Sequence, residues 1–230
     1  MRRVLAGMLL LVAFGVAACG GGSSAPSNGE ASKSAKQVLT DAVRAAKGAS
    51  TFRMSGQMNL GGRQLSLDLT VVNGEGAMGS TSVDGEKIDM VVIGTWVYVK
   101  ADMAYWTQFG PAGSTIAQTA AGKWIKAPGD NAHFGPITGF AHASTFFDKL
   151  TTAHGTLTNQ GVATFAGQKA VQIRDSDGGT LYVAATGTPY LVGVSGTKGS
   201  ESLSFTFDNW NKSVTLGAPY GAIDVSSLVP

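Results

Sequence analysis

The side chains suited by type and spacing to chemistry are three histidines, one cysteine and two short polar motifs. His133, His142 and His154 are the natural places to seek a metal ligand or a general base. None forms the H-x-x-x-H pair that sets two imidazoles on one helical face, so they are expected on the surface or in loops. Asp175-Ser176-Asp177-Gly178 imitates the start of a calcium loop but lacks the later oxygen ligands, which makes it a turn. Ser195-Gly196-Thr197-Lys198 has the S-x-x-K spacing, a chemistry that needs the lysine one helical turn from the serine. With Gly193 and Gly199 around it and strand-like sequence on either side, it is expected in a hairpin loop. No G-x-S-x-G, phosphate-binding loop or dinucleotide fingerprint occurs. The chain is therefore expected to be non-catalytic and to carry no metal or cofactor; a hydrolase would require a polar cluster around one histidine in a cleft.

The cysteine has a different chemistry. Arg2 and Arg3 begin the chain, Val4 to Val16 is almost purely apolar and short for a bilayer span, and Val16-Ala17-Ala18 precedes Cys19. This pattern of an export signal resembles the bacterial lipobox. That resemblance implies removal of residues 1–18 and a mature chain that starts at a diacylglyceryl-modified Cys19. The alternatives are a plain secretory signal and an uncleaved signal anchor. Residues 19–33, rich in Gly, Ser, Ala and Pro, are expected to be a flexible tether holding a domain of residues 34–230 to the outer face of the cell membrane. Two or more acyl chains anchor stably where one is marginal.

The formal charge of +2 over the 230 residues comes from Arg2 and Arg3 alone, so the exported part is neutral. No basic surplus remains to suggest nucleic acid as a partner. A single cysteine excludes an internal disulfide, and the domain must be held by packing.

The elements that would position a site fall into three blocks. Ser34 to Gly48 is a helix: Ala35, Val38, Leu39, Ala42, Val43 and Ala46 follow helical spacing, Ser34 with Gln37 makes a capping box, and Gly48 stops it. From Thr51 the period becomes two, with turns at Gly61-Gly62, Asn73-Gly74, Asp84-Gly85 and Gly94-Thr95, the pattern of an antiparallel meander. Gly56 and Gly79 suggest bends or bulges within strands. Between Asp102 and Phe147 the alternation stops; short helices are expected at Asp102 to Phe109, Ser114 to Ala121 and Ser144 to Leu150, a strand at Trp124 to Lys126, and loop over Ala127 to Ala143. Strands then resume around Val171, Leu181, Tyr190 and Leu203.

The leader, the Ser-Ala-Lys-Gln-Val-Leu helix running into Ser50 to Gly56, Val97-Tyr98-Val99-Lys100, Gly122-Lys123-Trp124-Ile125, Gly179 to Val183 and the closing Ile223 to Leu228 resemble actinobacterial lipoproteins of the LppX/LprG type, which are similar in fold to LolA and LolB. The resemblance implies an α+β fold, a strongly curved antiparallel half-barrel with helices and an irregular helical insertion across its concave face. It also implies a lipid or lipidated glycan held in the cavity between them.

The candidate cavity lining is Phe52, Met54, Met58, Leu65, Leu67 and Leu69 on the first strands and Met90 and Val92 further on. Around the insertion it is joined by Trp96, Tyr98, Tyr105, Trp106 and Ile116. The five methionines beyond the leader (Met54, Met58, Met78, Met90, Met103) all lie in its first half, where they would line an adaptable apolar surface or simply fill a core. The partners expected are the membrane, a lipid or acylated ligand and, as an open option, a membrane transporter, with the chain itself monomeric. An envelope scaffold with a closed core is the competing reading.

Overall fold

The computed structural model describes residues 25–130, 134, 138–139, 147–148, 151–152 and 155–227. Cys19 and all three histidines lie outside them. The described residues build one open sheet of twelve strands in the order β12-β6-β5-β4-β3-β2-β1-β11-β10-β9-β8-β7. The first strands are β1 (Thr51–Leu60), β2 (Arg63–Val72), β3 (Gly76–Val83), β4 (Glu86–Ile93) and β5 (Trp96–Ala101). An insertion of two helices, α2 (Met103–Thr107) and α3 (Gly110–Ala120), leads to β6 (Trp124–Pro128). The remainder is β7 (Leu157–Phe165), β8 (Gln168–Asp175), β9 (Gly179–Ala184), β10 (Leu191–Lys198), β11 (Glu201–Asp208) and the short β12 (Ile223–Asp224). All neighbours pair antiparallel except β12, which lies parallel to β6. The result is the expected α+β half-barrel, left open between β12 and β7.

The leading helix α1 (Ala35–Gly48) is capped as its sequence demands. Ser34 Oγ accepts from the Gln37 amide at 3.3 Å while the Ser34 amide donates to Gln37 Oε1 at 3.1 Å, satisfying two of the amides that a helix start leaves unpaired. The six apolar positions read from its periodicity are the six that become buried.

Register divides the sheet into an inner and an outer face. Met54 pairs with Leu69 and Phe207, Leu67 faces Thr81, and Met90 faces Val99, so these side chains share the inner face and one hydrophobic core with α1 and α3. The strands also define two ends. The turns after β1, β3, β8 and β10 lie at one end, from which α2 and α3 also spring; it is called here the hairpin end. The opposite end is plugged by aromatic rings: Trp210 stacks on Tyr190 with centroids 4.5 Å apart, Phe52 lies 5.1 Å from Trp210, and Phe147 lies 5.3 Å from Phe52.

Five expectations change. Residues 27–33 are part of the fold and not tether: Ser27 bridges Thr186, Asn28 Nδ2 donates to the Ala184 carbonyl at 2.8 Å, Glu30–Ser32 form a 3-10 turn, and Glu30 is buried. This strap is held by side-chain-to-backbone bonds in both directions with residues far along the sequence, Asn28 donating to Ala184 and Asn159 donating to Lys33. The strand β7 was not evident because Gly161, at φ +80°, sits in a bulge between Asn159 and Val162 that breaks the alternation. Gly56 and Gly79 lie in unbroken registers; what excludes a side chain there is close approach, to Ser204 and Phe205 at one and to the Asp68 carbonyl at the other. α3 starts four residues before Ser114, with Pro111 at its first turn, and β6 runs on through Pro128. Ser195 to Lys198 is strand, the loop being confined to Gly199 and Ser200. The helix expected over 144–150 falls largely outside the described residues, although 147, 148, 151 and 152 are helical.

Candidate functional site

The residues proposed to line a cavity are brought together, apart from two. Phe52, Met54, Leu67, Leu69, Met90, Val92, Tyr105, Trp106 and Ile116 are each at most 4% exposed and belong to the single inner-face core. Met58 and Leu65, register partners of one another, are half-buried against the same core. Trp96 and Tyr98 are misplaced by the sequence reading. Val92 pairs with Val97 and Met90 with Val99, so the inner positions of β5 are odd-numbered. Trp96 and Tyr98 therefore stand on the outer face, where Lys126 Nζ lies 3.6 Å from the Trp96 ring centroid. The two-residue turn Gly94-Thr95, which sets Ile93 opposite Trp96, carried that information in the sequence.

The helical insertion is locked to β5 by its own side chain. Trp106 Nε1 donates to the Ala101 carbonyl at 3.2 Å, and the Gly122 amide donates to the same oxygen at 2.9 Å. Tyr105 packs edge-on against Trp106 and Phe109, with centroids 4.9 and 5.1 Å away. Its burial pushes the phenol up to about 12.

At the hairpin end the inner face opens. Leu60 and Leu203, 50% and 37% exposed, border an apolar groove of about 250 Å³ floored by Gly179 and Gly196, with Lys198 and Glu201 at its rim. Leu203 pairs with Met58 and Met58 with Leu65, so an uninterrupted apolar path leads from this groove to the buried Met54 and Leu67. Small residues on the floor leave room that larger side chains would fill. Sequence reasoning missed Leu60 and Leu203, although their alternation with Met58 and Phe205 placed them on the inner face.

The polar motifs supply no reaction centre. Asp175 Oδ1 accepts from the Gly155 amide at 2.9 Å and the Asp177 amide at 3.0 Å, so the calcium-like sequence is a hydrogen-bonded turn. Ser195 and Lys198 project to opposite faces of β10, as residues three apart in a strand must. Among the described residues no three His, Cys, Asp or Glu side chains converge, and no helix is long and apolar enough to cross a membrane.

The architecture thus defined is an open half-barrel whose inner face is covered by helices and opens through an apolar mouth. It is the fold of LppX-type lipoproteins. The lipoprotein LppX of Mycobacterium tuberculosis superposes with a TM-score of 0.55 at 17% identity, over 79% of this chain and 97% of that one. LprF from Mycobacterium bovis gives 0.57 at 18% identity, over 86% and 100%. No protein-family model and no curated protein matches the sequence.

Proposed function

We propose that the protein is an exported lipoprotein, anchored through an acylated Cys19 at the outer face of the cell membrane, that binds the acyl chains of a lipid or other acylated molecule without chemically altering it. The observation that carries this reading is the continuous apolar path from the exposed pair Leu60 and Leu203 to the inner-face core. Each CH₂ taken from water contributes about 0.8 kcal/mol. A groove of this size accepts the end of a chain, and deeper entry requires the α2–α3 insertion to move from the core. The lipobox resemblance and the shared fold of two mycobacterial lipoproteins support envelope attachment and an apolar ligand.

Native mass spectrometry with lipid extraction, on protein purified from a bacterial host, tests this. Lipid released only on denaturation, and lost in Leu203→Glu, is the expected result. Charges are best placed at Leu203 and not at Leu67 or Met90, because those two are buried and a charge there would unfold the domain.

A second reading, a scaffold with a closed core, is favoured by the near-complete burial of the nine central residues. It predicts lipid-free protein and no uptake of fluorescent fatty acids.

A further inference from the structure

On the outer face at the same end, strand register lines up a second and chemically different surface. Gln57 pairs with Ser204, Ser204 with Ser195, Ser195 with Thr180, and Thr180 with Arg174, so five strands in succession present an amide, three hydroxyls and a guanidinium in one row across the sheet. Adjacent strands are about 4.8 Å apart. A parallel row, Asn59 with Ser202 and Ser202 with Thr197, runs beside it. Together with Gln64 and, at the sheet end, Met58, Gly196 and Leu203, they line a groove of about 510 Å³.

The groove's polar groups have nothing to bond to within the described protein. Ser55 and Thr206, the next rung, satisfy each other at 3.0 Å, as do Ser66 and Ser82 at 2.6 Å. The side chains of Gln57, Ser204, Ser195 and Thr180 make no such bonds. Asn59 Oδ1 is buried without a partner, which costs free energy unless a donor reaches it. Arg53 and Arg63 are each paired with an aspartate, whereas Arg174 has no ion pair among the described residues. Tyr182, one rung from Thr180 and stacked on Phe165 at 4.0 Å, offers an aromatic face nearby.

We infer that this outer groove is a carbohydrate-binding site for an oligosaccharide carrying a negative charge near one end. The sugar hydroxyls donate to Asn59 Oδ1 and exchange bonds with the row of serines, and the charged end, a carboxylate or phosphate, lies on Arg174. The row spaces its polar groups by one strand, a step comparable to one pyranose ring. The groove adjoins the apolar mouth, since Leu203 and Gly196 border both, but the polar rows that would hold the glycan face the other side of the sheet from Met54 and Leu67.

Calorimetric titration of the full chain in detergent tests it, with a glucuronate-containing tetrasaccharide as the probe and neutral maltotetraose as the control. The acidic probe is expected to bind, with Arg174→Gln and Asn59→Ala each weakening it by about tenfold and Leu60→Gln, at the apolar mouth and outside the polar groove, leaving it unchanged. No binding of the acidic probe at millimolar concentration overturns the inference, as does binding that neither Arg174→Gln nor Asn59→Ala alters. Maltotetraose bound as tightly as the acidic probe overturns the charged end. The same probe bearing a dodecyl chain separates a free glycan from a lipid head group. Tightening that Leu60→Gln abolishes marks a head group, no tightening marks a free glycan, and either result supports the site.

Discussion

Phe205 lies on Gly56: the two are register partners across β1 and β11, and a Cβ at position 56 would stand 2.7 Å from both Cδ1 and Cα of Phe205. The Cα cannot give way as the tip of a flexible side chain can. Gly56→Ala is therefore expected to destabilise the domain by about 1–3 kcal/mol, measured as a lower urea midpoint at unchanged slope.

The inner core and its mouth should respond differently to truncation. Leu69 is completely buried, and Leu69→Ala is expected to cost about 2–5 kcal/mol. Leu203→Ala removes a side chain already 37% exposed and should cost less than about 1 kcal/mol while lowering uptake of a fluorescent fatty acid. Equal losses of stability at the two positions would refute the distinction between core and mouth.

The capping box of α1 offers a simple check on the helix that precedes the sheet. Ser34→Ala removes the acceptor for the Gln37 amide and should lower stability by about 1 kcal/mol, whereas Ser34→Asp should retain most of it. Thermal unfolding of the two variants compares them directly.

Arg53 forks onto Asp68 with two bonds of 2.7 Å, and this hydrogen bonding holds the Asp68 carboxyl below the usual aspartate range. A depressed folded-state value means that the contribution is present above the ordinary aspartate value of about 3.9 and is lost as the pH falls through the lower value in the folded protein. The pair is half exposed, so the effect should stay below about 1 kcal/mol. Asp68→Asn is expected to flatten the acid limb of a stability-against-pH curve.

Tyr105 predicts an effect at the other extreme. Its phenol ionises at about 12 in the folded protein against 10.0 in its ordinary state, so the unfolded chain releases this proton first. Stability should fall as the pH rises from about 10 towards 12, and Tyr105→Phe should lessen the fall. Absorbance of tyrosinate during an alkaline titration would show one late-ionising ring.

The parts of this fold written in local sequence are those governed by local energetics. Helix α1, with its cap and six buried positions, and the hairpins at Asn73-Gly74 and Asp84-Gly85 need only neighbouring residues to specify them. The strap at residues 27–33 was illegible because Asn159 Nδ2, bonded to the Lys33 carbonyl at 2.8 Å, comes from 126 residues away. α3 was read short because Ser114 looks like a helix cap; the helix in fact begins at Gly110, and Gly113 lies against the Trp106 carbonyl, where a side chain would not fit. Hydrophobic character alone also misled at β5, where Trp96 is apolar and aromatic yet faces outward over Lys126. The outer row of polar groups escaped notice for the opposite reason: serines and threonines scattered along five strands form a pattern only when register aligns them.

The bulge in β7 bears on how copies of the protein behave at high concentration. β7 is an edge of the sheet, and an edge that presents regular free amides invites another strand to add to it. Here the backbone is bent at Gly161, the Gly161 amide is held by Asn159 Oδ1 at 2.8 Å, and the Asn159 amide group is turned to the strap. The opposite edge, β12, is only two residues long. Among the described residues neither border offers the uninterrupted ladder on which strand-swapped polymers grow, so this sheet of twelve strands stays open without a template for fibrils.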